Sequence, residues 1–76
     1  MSRTVHVDAT GLSCPAPVRE LARAVTASAA GDVVELRATD PAARVDVPVW
    51  CRLQRHRLLA ITEVEGGWCF EVECAR

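Results

Sequence analysis

The sequence predicts a two-layer α/β sandwich, β-α-β-α-β-β, in which two helices cover one face of a four-stranded mixed sheet. Two observations carry this fold class. Thr4–Asp8 and Val33–Ala38 alternate with the period of a strand, and a segment with helical periodicity lies between them. Two further apolar runs, separated by Gly66-Gly67, then read as a hairpin. Two helices can cover only one face of such a sheet, so the other face is expected to meet solvent.

The first helix is predicted from Pro15 to about Ala29. Its apolar residues recur at helical spacing, which indicates one buried face: Val18, Leu21, Ala22, Val25 and Ala29. Gly31-Asp32 is expected to end the helix. Strand, helix and strand in this order are typical of a βαβ unit, so the first two strands are predicted to be parallel.

The second helix is predicted from about Pro48 to His56, after a loose turn that starts at Asp40. In that turn Asp40 would be an N-cap and Pro41 the first helical residue. The buried side of the helix is expected to hold three residues: Val49, Trp50 and Leu53.

The last two strands are predicted at Leu58–Val64 and Trp68–Cys74, with Gly66-Gly67 as a turn of the primed type. One face of the final strand holds four residues: Trp68, Phe70, Val72 and Cys74. For the strand before it the inner face stays open between two sets: Leu58, Ala60, Thr62 and Val64, or Leu59, Ile61, Glu63 and Glu65.

The length of 76 residues predicts one domain, 1–76. Nine basic residues, all of them Arg, and ten acidic ones give a net charge of −1, which argues against binding nucleic acid or a membrane through charge alone. The densest basic cluster, Arg52, Arg55 and Arg57, is interpreted as a solvated helix end, with a docking patch as the alternative. No apolar run is long enough to span a membrane and no signal peptide is visible, so a cytoplasmic location is expected.

The four cysteines, at positions 14, 51, 69 and 74, are predicted to be independent thiols. Their separations of 37, 18 and 5 match no zinc-binding spacing, and no secretory context supports a disulfide framework. We therefore expect no metal and no cofactor. Most of these thiols would be small buried residues, which leaves the question of which one is placed to react.

Cys14 is the candidate, because Cys14-Pro15-Ala16-Pro17 lies where the Gly11-Leu12-Ser13 turn meets the first helix. Pro15 suits the first helical position, which would place Cys14 at or next to the N-cap. Free N–H groups of the first turn, with Ala16 and Val18 as the expected donors, and the helix dipole would favour the thiolate. The alternative is that Cys14 is only a small buried residue that caps the helix.

No second catalytic group accompanies Cys14 in the sequence. A thioredoxin-type dithiol would need Cys where Pro17 stands. A cysteine hydrolase would need an oriented His, and neither His6 on a strand nor His56 at a helix end has an evident Asp or Asn partner. A single activated thiolate suits a group carrier better than a turnover enzyme.

These residues resemble the TusA (SirA-like) sulfur-carrier family. The segment from Val7 to Val18 is similar to the family's N-terminal signature, Gly-Leu-x-Cys-Pro-x-Pro. Later segments that resemble the family are Thr39-Asp40-Pro41, Asp46-Val47-Pro48 with Trp50-Cys51, and His56-Arg57-Leu58-Leu59. The similarity runs from about Val5 to Val72. Many members carry a basic residue where Ser13 stands and Glu where Ala16 stands.

The resemblance implies the β-α-β-α-β-β sandwich and a function. The cysteine of the motif, Cys14 here, would accept sulfane sulfur as a persulfide and pass it to a partner protein. Family donors include cysteine desulfurases and rhodanese-like proteins, and acceptors serve tRNA thiolation, molybdenum-cofactor maturation or sulfur oxidation. Direct contact with nucleic acid or membrane is not expected.

Two alternatives keep the same fold. One is a non-catalytic regulatory or interaction module whose activity would not need Cys14. The other is a redox sensor in which Cys14 is oxidised and Cys51 is the candidate resolving thiol. The sequence leaves the burial of Cys51 undecided.

Overall fold

The computed structural model describes residues 2–75 and confirms the predicted fold class. The elements are β1 Thr4–Ala9, α1 Ala16–Thr26, β2 Val33–Ala38, α2 Ala43–Gln54, β3 Arg57–Val64 and β4 Gly67–Glu73. The strand order is β1-β2-β4-β3, with β1 parallel to β2, and β4 antiparallel to both β2 and β3. Among the described residues, no helix is both long and apolar enough to cross a membrane.

The topology brings three connections to one end of the sheet. Ala9 and Ala38, the last residues of the parallel strands β1 and β2, are paired with each other, and Ala38 is also paired with Trp68 of β4. The β1–α1 loop, the β2–α2 loop and the β3–β4 turn therefore lie together. Cys14 belongs to the first of these loops, and this end of the sheet is called the Cys14 end below.

Helix α1 buries the side that its periodicity predicts, with Leu21 and Val25 in the core beside Pro17. The helix ends at Thr26, so the expected extension to Ala29 is wrong, and Ala29 is exposed. The Ala29 N–H instead donates to the buried Asp32 carboxylate over 2.9 Å. This bond turns the chain out of the helix and toward β2.

Asp32 fixes the opposite end of the sheet. Its carboxylate accepts the Arg3 and Ala29 N–H groups, each over 2.9 Å, and lies 3.6 Å from the Arg3 guanidinium. The hydrogen bonds from Ala29 and Arg3 are the main reason that the pKa of Asp32 is lowered. The ionised side chain thus joins the start of β1 to the connection between α1 and β2.

Helix α2 differs from the predicted second helix in its first residue and in its buried side. It starts at Ala43 and continues through Pro48, and its buried side is formed by Ala43, Val47 and Cys51. Val49 and Leu53 are 49% and 72% exposed, so the expected buried side is wrong for both, and Trp50 is half-buried. The sequence of α2 contains two apolar stripes at i, i+4, i+8 spacing, and the stripe of smaller side chains lies against the sheet.

The β3–β4 turn is also placed differently. Val64 pairs with Gly67, so the two turn residues are Glu65 and Gly66. Gly66 has φ of 80° while Glu65 does not have a positive φ, and the expected primed turn is therefore wrong. Gly67 is needed for a different reason, since a Cβ there would collide with the Ala38 carbonyl oxygen.

A β-bulge settles the open question about β3. Leu58 pairs with Val72 and Ala60 with Glu71, which leaves Leu59 as the extra residue. After the bulge Ile61 is opposite Phe70. Because Phe70 and Val72 are buried under the helices, the inner face of β3 changes from the first predicted set to the second partway along the strand.

Leu21→Ala should lower the free energy of unfolding by about 2–5 kcal/mol, because Leu21 is fully buried. Leu53→Ala is the matched control on the other helix and should change it by less than about 0.5 kcal/mol, since Leu53 is 72% exposed. Urea denaturation followed by circular dichroism measures both. Equal losses would contradict the orientation of α2.

Candidate functional site

Cys14 lies two residues before α1, at a cis Cys14–Pro15 peptide bond. Pro15 is the N-cap and Ala16 the first helical residue, so Pro15 stands one position earlier than the sequence predicts. The Ala16 N–H donates to the Ser13 carbonyl oxygen over 2.9 Å, and the expectation that it serves the sulfur is therefore wrong. The thiol is half-buried.

The Asp40 carboxylate holds the backbone of Cys14. Its Oδ2 accepts the Cys14 N–H over 2.9 Å, and its Oδ1 accepts the Ala42 N–H over 3.0 Å. These two bonds, the one from Ala42 first, lower the pKa of Asp40. Asp40 thus caps the turn that precedes α2, as the sequence predicts, while Ala42 is the N-cap of α2 itself.

A neighbouring bond fastens the turn that precedes Cys14. The Gly11 N–H donates to Thr39 Oγ1 over 2.9 Å, and the Leu12 N–H donates to the Ala9 carbonyl oxygen over 3.1 Å. Gly11 has φ of 81°, a conformation that other residues rarely adopt. Gly11 therefore directs the chain from β1 toward Cys14.

The Asp46 carboxylate, in the first turn of α2, lies beside the Cys14 thiol. Burial first, then the interaction with the Asp46 carboxylate and the charge of Asp40, raises the pKa of Cys14. The expectation of a thiolate favoured by the helix is therefore wrong. A carboxylate beside the sulfur disfavours a second negative charge there. The first helical residue, Ala16, also stands two residues after Cys14, so the thiol is not at the N-cap position.

Asp40 and Asp46 are the residues of this site that sequence reasoning missed, because Asp40 was interpreted as a helix-start signal and Asp46 was named only in a segment that resembles the family. A usable signal was present, since two Asp residues each stand shortly before a proline, at Pro41 and Pro48. Parallel β1 and β2 bring the loops that follow them to the same end of a sheet. That pairing could have placed both carboxylates near Cys14.

The other three thiols lie in different surroundings. Cys51 and Cys74 are 2% and 1% exposed, and burial raises the pKa of Cys51 to about 11. Cys69 is half-buried, and burial, with Glu35 and Glu71, raises its pKa. All four cysteines are free, and residues 2–75 contain no cluster of side chains suited to a metal ion. A resolving role for Cys51 would require the core to open.

Both histidines have partners away from the Cys14 end. His6 Nδ1 lies 3.2 Å from Glu35 Oε1, between residues that are paired across β1 and β2. The His56 ring stacks on Trp50 with centroids 5.4 Å apart, and its Nδ1 accepts the Ala75 N–H over 3.1 Å. Neither arrangement forms a Cys–His pair of the hydrolase type.

Comparison with known proteins identifies the family to which the chain belongs. The model of the family described as Sulfurtransferase TusA matches residues 5–74. A protein of Pseudomonas entomophila strain L48 named Sulfur carrier protein TusA is 44% identical over 73 residues, which is 92% of this chain and 91% of that protein. Proteins of the same name from Pseudomonas putida strain GB-1 and Pseudomonas aeruginosa strain LESB58 are 42% and 39% identical over 64 residues, 84% of this chain and 80% and 81% of theirs.

Limited alkylation at neutral pH should label Cys14 first among the four thiols. Cys51 and Cys74 are in the core, and half-buried Cys69 lies in the sheet between two Glu residues. Peptide mapping after treatment with less than one equivalent of iodoacetamide gives the order. Labelling of Cys69 ahead of Cys14 would show that Cys14 has no kinetic advantage.

Asp46→Asn should lower the pKa of the Cys14 thiol, because the amide keeps a hydrogen-bonding group without the charge. The alkylation rate of Cys14, measured from pH 6 to 10, should then reach half its maximum at a lower pH than in the wild type. Glu65→Gln removes one charge from the turn at the same end of the sheet and is the control. A profile that moves equally in both variants would mean that Asp46 has no specific effect.

Proposed function

The chain belongs to the TusA sulfurtransferase family, and on that premise we propose that it is a sulfur-relay carrier that holds sulfane sulfur as a persulfide on Cys14. The observation that carries the proposal is the placement of this thiol. Cys14 is half-buried at the Cys14 end, its N–H is fixed by Asp40 and its thiol lies beside the Asp46 carboxylate. This environment orients one sulfur atom without surrounding it with catalytic groups.

Loading of the carrier transfers the outer sulfur atom of a donor persulfide to the Cys14 thiol. The Cys14 sulfur attacks the outer sulfur of a donor protein's cysteine persulfide, a new S–S bond forms, and the donor's own S–S bond breaks. The proton of the Cys14 thiol ends on the leaving donor thiolate, so a thiol and a persulfide give a persulfide and a thiol.

The raised pKa of Cys14 suits a carrier. The thiolate is the nucleophile, so a thiol that is protonated at neutral pH reacts slowly with stray electrophiles. When the thiolate does form next to a donor, its higher basicity makes it the stronger nucleophile. Reaction is thereby restricted to a partner that places its persulfide against the site.

The partners belong to the same proposal. A cysteine desulfurase or a rhodanese-like protein would deliver the sulfur, and a sulfur-acceptor protein of tRNA thiolation, molybdenum-cofactor maturation or sulfur oxidation would receive it. The outer sulfur of the loaded carrier projects one bond further than the thiol, so it can meet the acceptor's thiol without opening of the domain. A cytoplasmic location completes the proposal.

Incubation with a cysteine desulfurase and cysteine should add one sulfur atom to the wild-type chain. Intact-protein mass spectrometry before and after reduction should show a gain that a reductant removes. The gain should be absent in Cys14→Ser and kept in Cys69→Ser, a matched control because Cys69 is also a half-buried free thiol. Equal gains in wild type and Cys14→Ser, or none from desulfurase and rhodanese donors alike, would favour the regulatory module instead.

A further inference from the structure

Helix α2 exposes an apolar ridge, defined as Val45, Val49 and Leu53. These side chains are 66%, 49% and 72% exposed, and their i, i+4, i+8 spacing places them on one side of the helix. The opposite side, with Val47 at its centre, is buried. Single apolar residues on a surface need no explanation, whereas a contiguous row over three turns marks an interaction site.

Three basic residues border the ridge, whereas Glu63, which lines the adjoining groove, is acidic. Arg52 lies in the last turn of α2, and Arg55 ends the helix in a left-handed conformation. Arg44 flanks the ridge near its start, with its guanidinium carbon 5.4 Å from the centre of the Trp68 ring. Asp46 is the one acidic residue in the sequence of α2, and it lies beside the Cys14 thiol. The chain as a whole has a net charge of −1, so this basic border is local.

The ridge continues into a groove that reaches the Cys14 end. The groove has a volume of about 550 Å³ and is lined by Pro41, Arg44, Val45, Ile61, Glu63 and Trp68. Pro41 follows Asp40, and Val45 precedes Asp46, so the groove begins beside the two carboxylates that hold Cys14. Ile61, on the inner face of β3, is 42% exposed and extends the apolar surface.

We propose that the ridge and this groove are the docking surface for the protein that delivers sulfur to Cys14. The surface fits a partner with an apolar patch bordered by carboxylates, which would meet Arg44, Arg52 and Arg55. The inference rests on the proposed function, since it names the partner's surface for the same thiol. Delivery depends on docking, because a half-buried thiol has to meet a persulfide held on another protein.

Two other occupants of the ridge are less suitable. A second copy of the chain would bring its own Arg52 and Arg55 toward those of the first in a symmetric contact. An anionic membrane would be attracted by the arginines but repelled by the net negative charge of the chain. Both occupants are separate outcomes of the test.

The test compares sulfur delivery to two matched pairs of variants. Val49→Ser with Leu53→Ser removes most of the ridge, and Leu59→Ser is its control, because Leu59 is 48% exposed in the β3 bulge outside the ridge. Arg52→Glu reverses one charge of the border. Its control is Arg37→Glu, which reverses the charge of an exposed residue on β2. Urea denaturation of each variant confirms that it is folded.

The probes are a persulfide-charged cysteine desulfurase and rhodanese of the same organism, and in parallel a low-molecular-weight persulfide. We expect the ridge variant and Arg52→Glu to raise the KM for the faster protein donor at least about tenfold, with kcat little changed. Loading from the small persulfide should stay at the wild-type rate, since it needs no docking. Both controls should match the wild type in every measurement.

The outcomes separate this inference from the proposed function. Equal KM values in ridge variants and controls would overturn the docking surface while leaving Cys14 as the carrier residue. Failure of every donor to load wild-type Cys14 would overturn the proposed function and the inference together. Sedimentation of the wild type, but not of the ridge variant, with phosphatidylglycerol vesicles would assign the ridge to a membrane. A dimer that the ridge variant dissociates would assign it to a second copy.

Discussion

The Asp40 carboxylate is the constraint on which the site depends. It binds the Cys14 N–H through one oxygen and the Ala42 N–H through the other, so it joins the β1–α1 loop to the start of α2. This is possible because β1 and β2 are parallel and end side by side at Ala9 and Ala38. The pKa of Asp40 is lowered by these bonds, so the stability they provide is present above the ordinary pKa of Asp and is lost as the pH falls through the lower folded value.

The hydrogen bonds of Asp40 also explain why the pKa of the Cys14 thiol differs from the one that the local sequence suggests. A cysteine before a helix is expected to ionise readily, because the helix N-terminus favours negative charge. Here the β1–α1 loop is held against α2, so that burial of the thiol first, and then the nearby Asp46 carboxylate, raises the pKa of Cys14. The carboxylate comes from a segment far along the chain, so no reading of residues around Cys14 could include it.

The parts of the fold that follow from periodicity were predictable, and the parts that depend on non-local contacts were not. Alternation and helical spacing are sufficient for β2 and for the burial of Leu21 and Val25 in α1. The prediction of the β3–β4 turn is wrong because either of two adjacent glycines suits a turn. Gly67 is instead the first residue of β4, where the absence of a side chain allows close approach to Ala38. The bulge at Leu59 could not be predicted, because a period of two assumes an unbroken register. Only the pairing of β3 with β4 reveals the extra residue.

Helix α2 shows where a failed prediction carries information about function. Two apolar stripes compete for the core, and the sheet takes the smaller side chains of Ala43, Val47 and Cys51. Polar residues in place of Val45 and Leu53, which are 66% and 72% exposed, would leave the buried side of the helix unchanged, so the fold itself does not require these two residues of the ridge. A residue choice that breaks the local pattern without benefit to packing points to a requirement outside the fold. The half-buried Cys14 thiol has such a requirement, because its reaction depends on a partner brought to it, and the ridge begins at Val45, the residue next to Asp46.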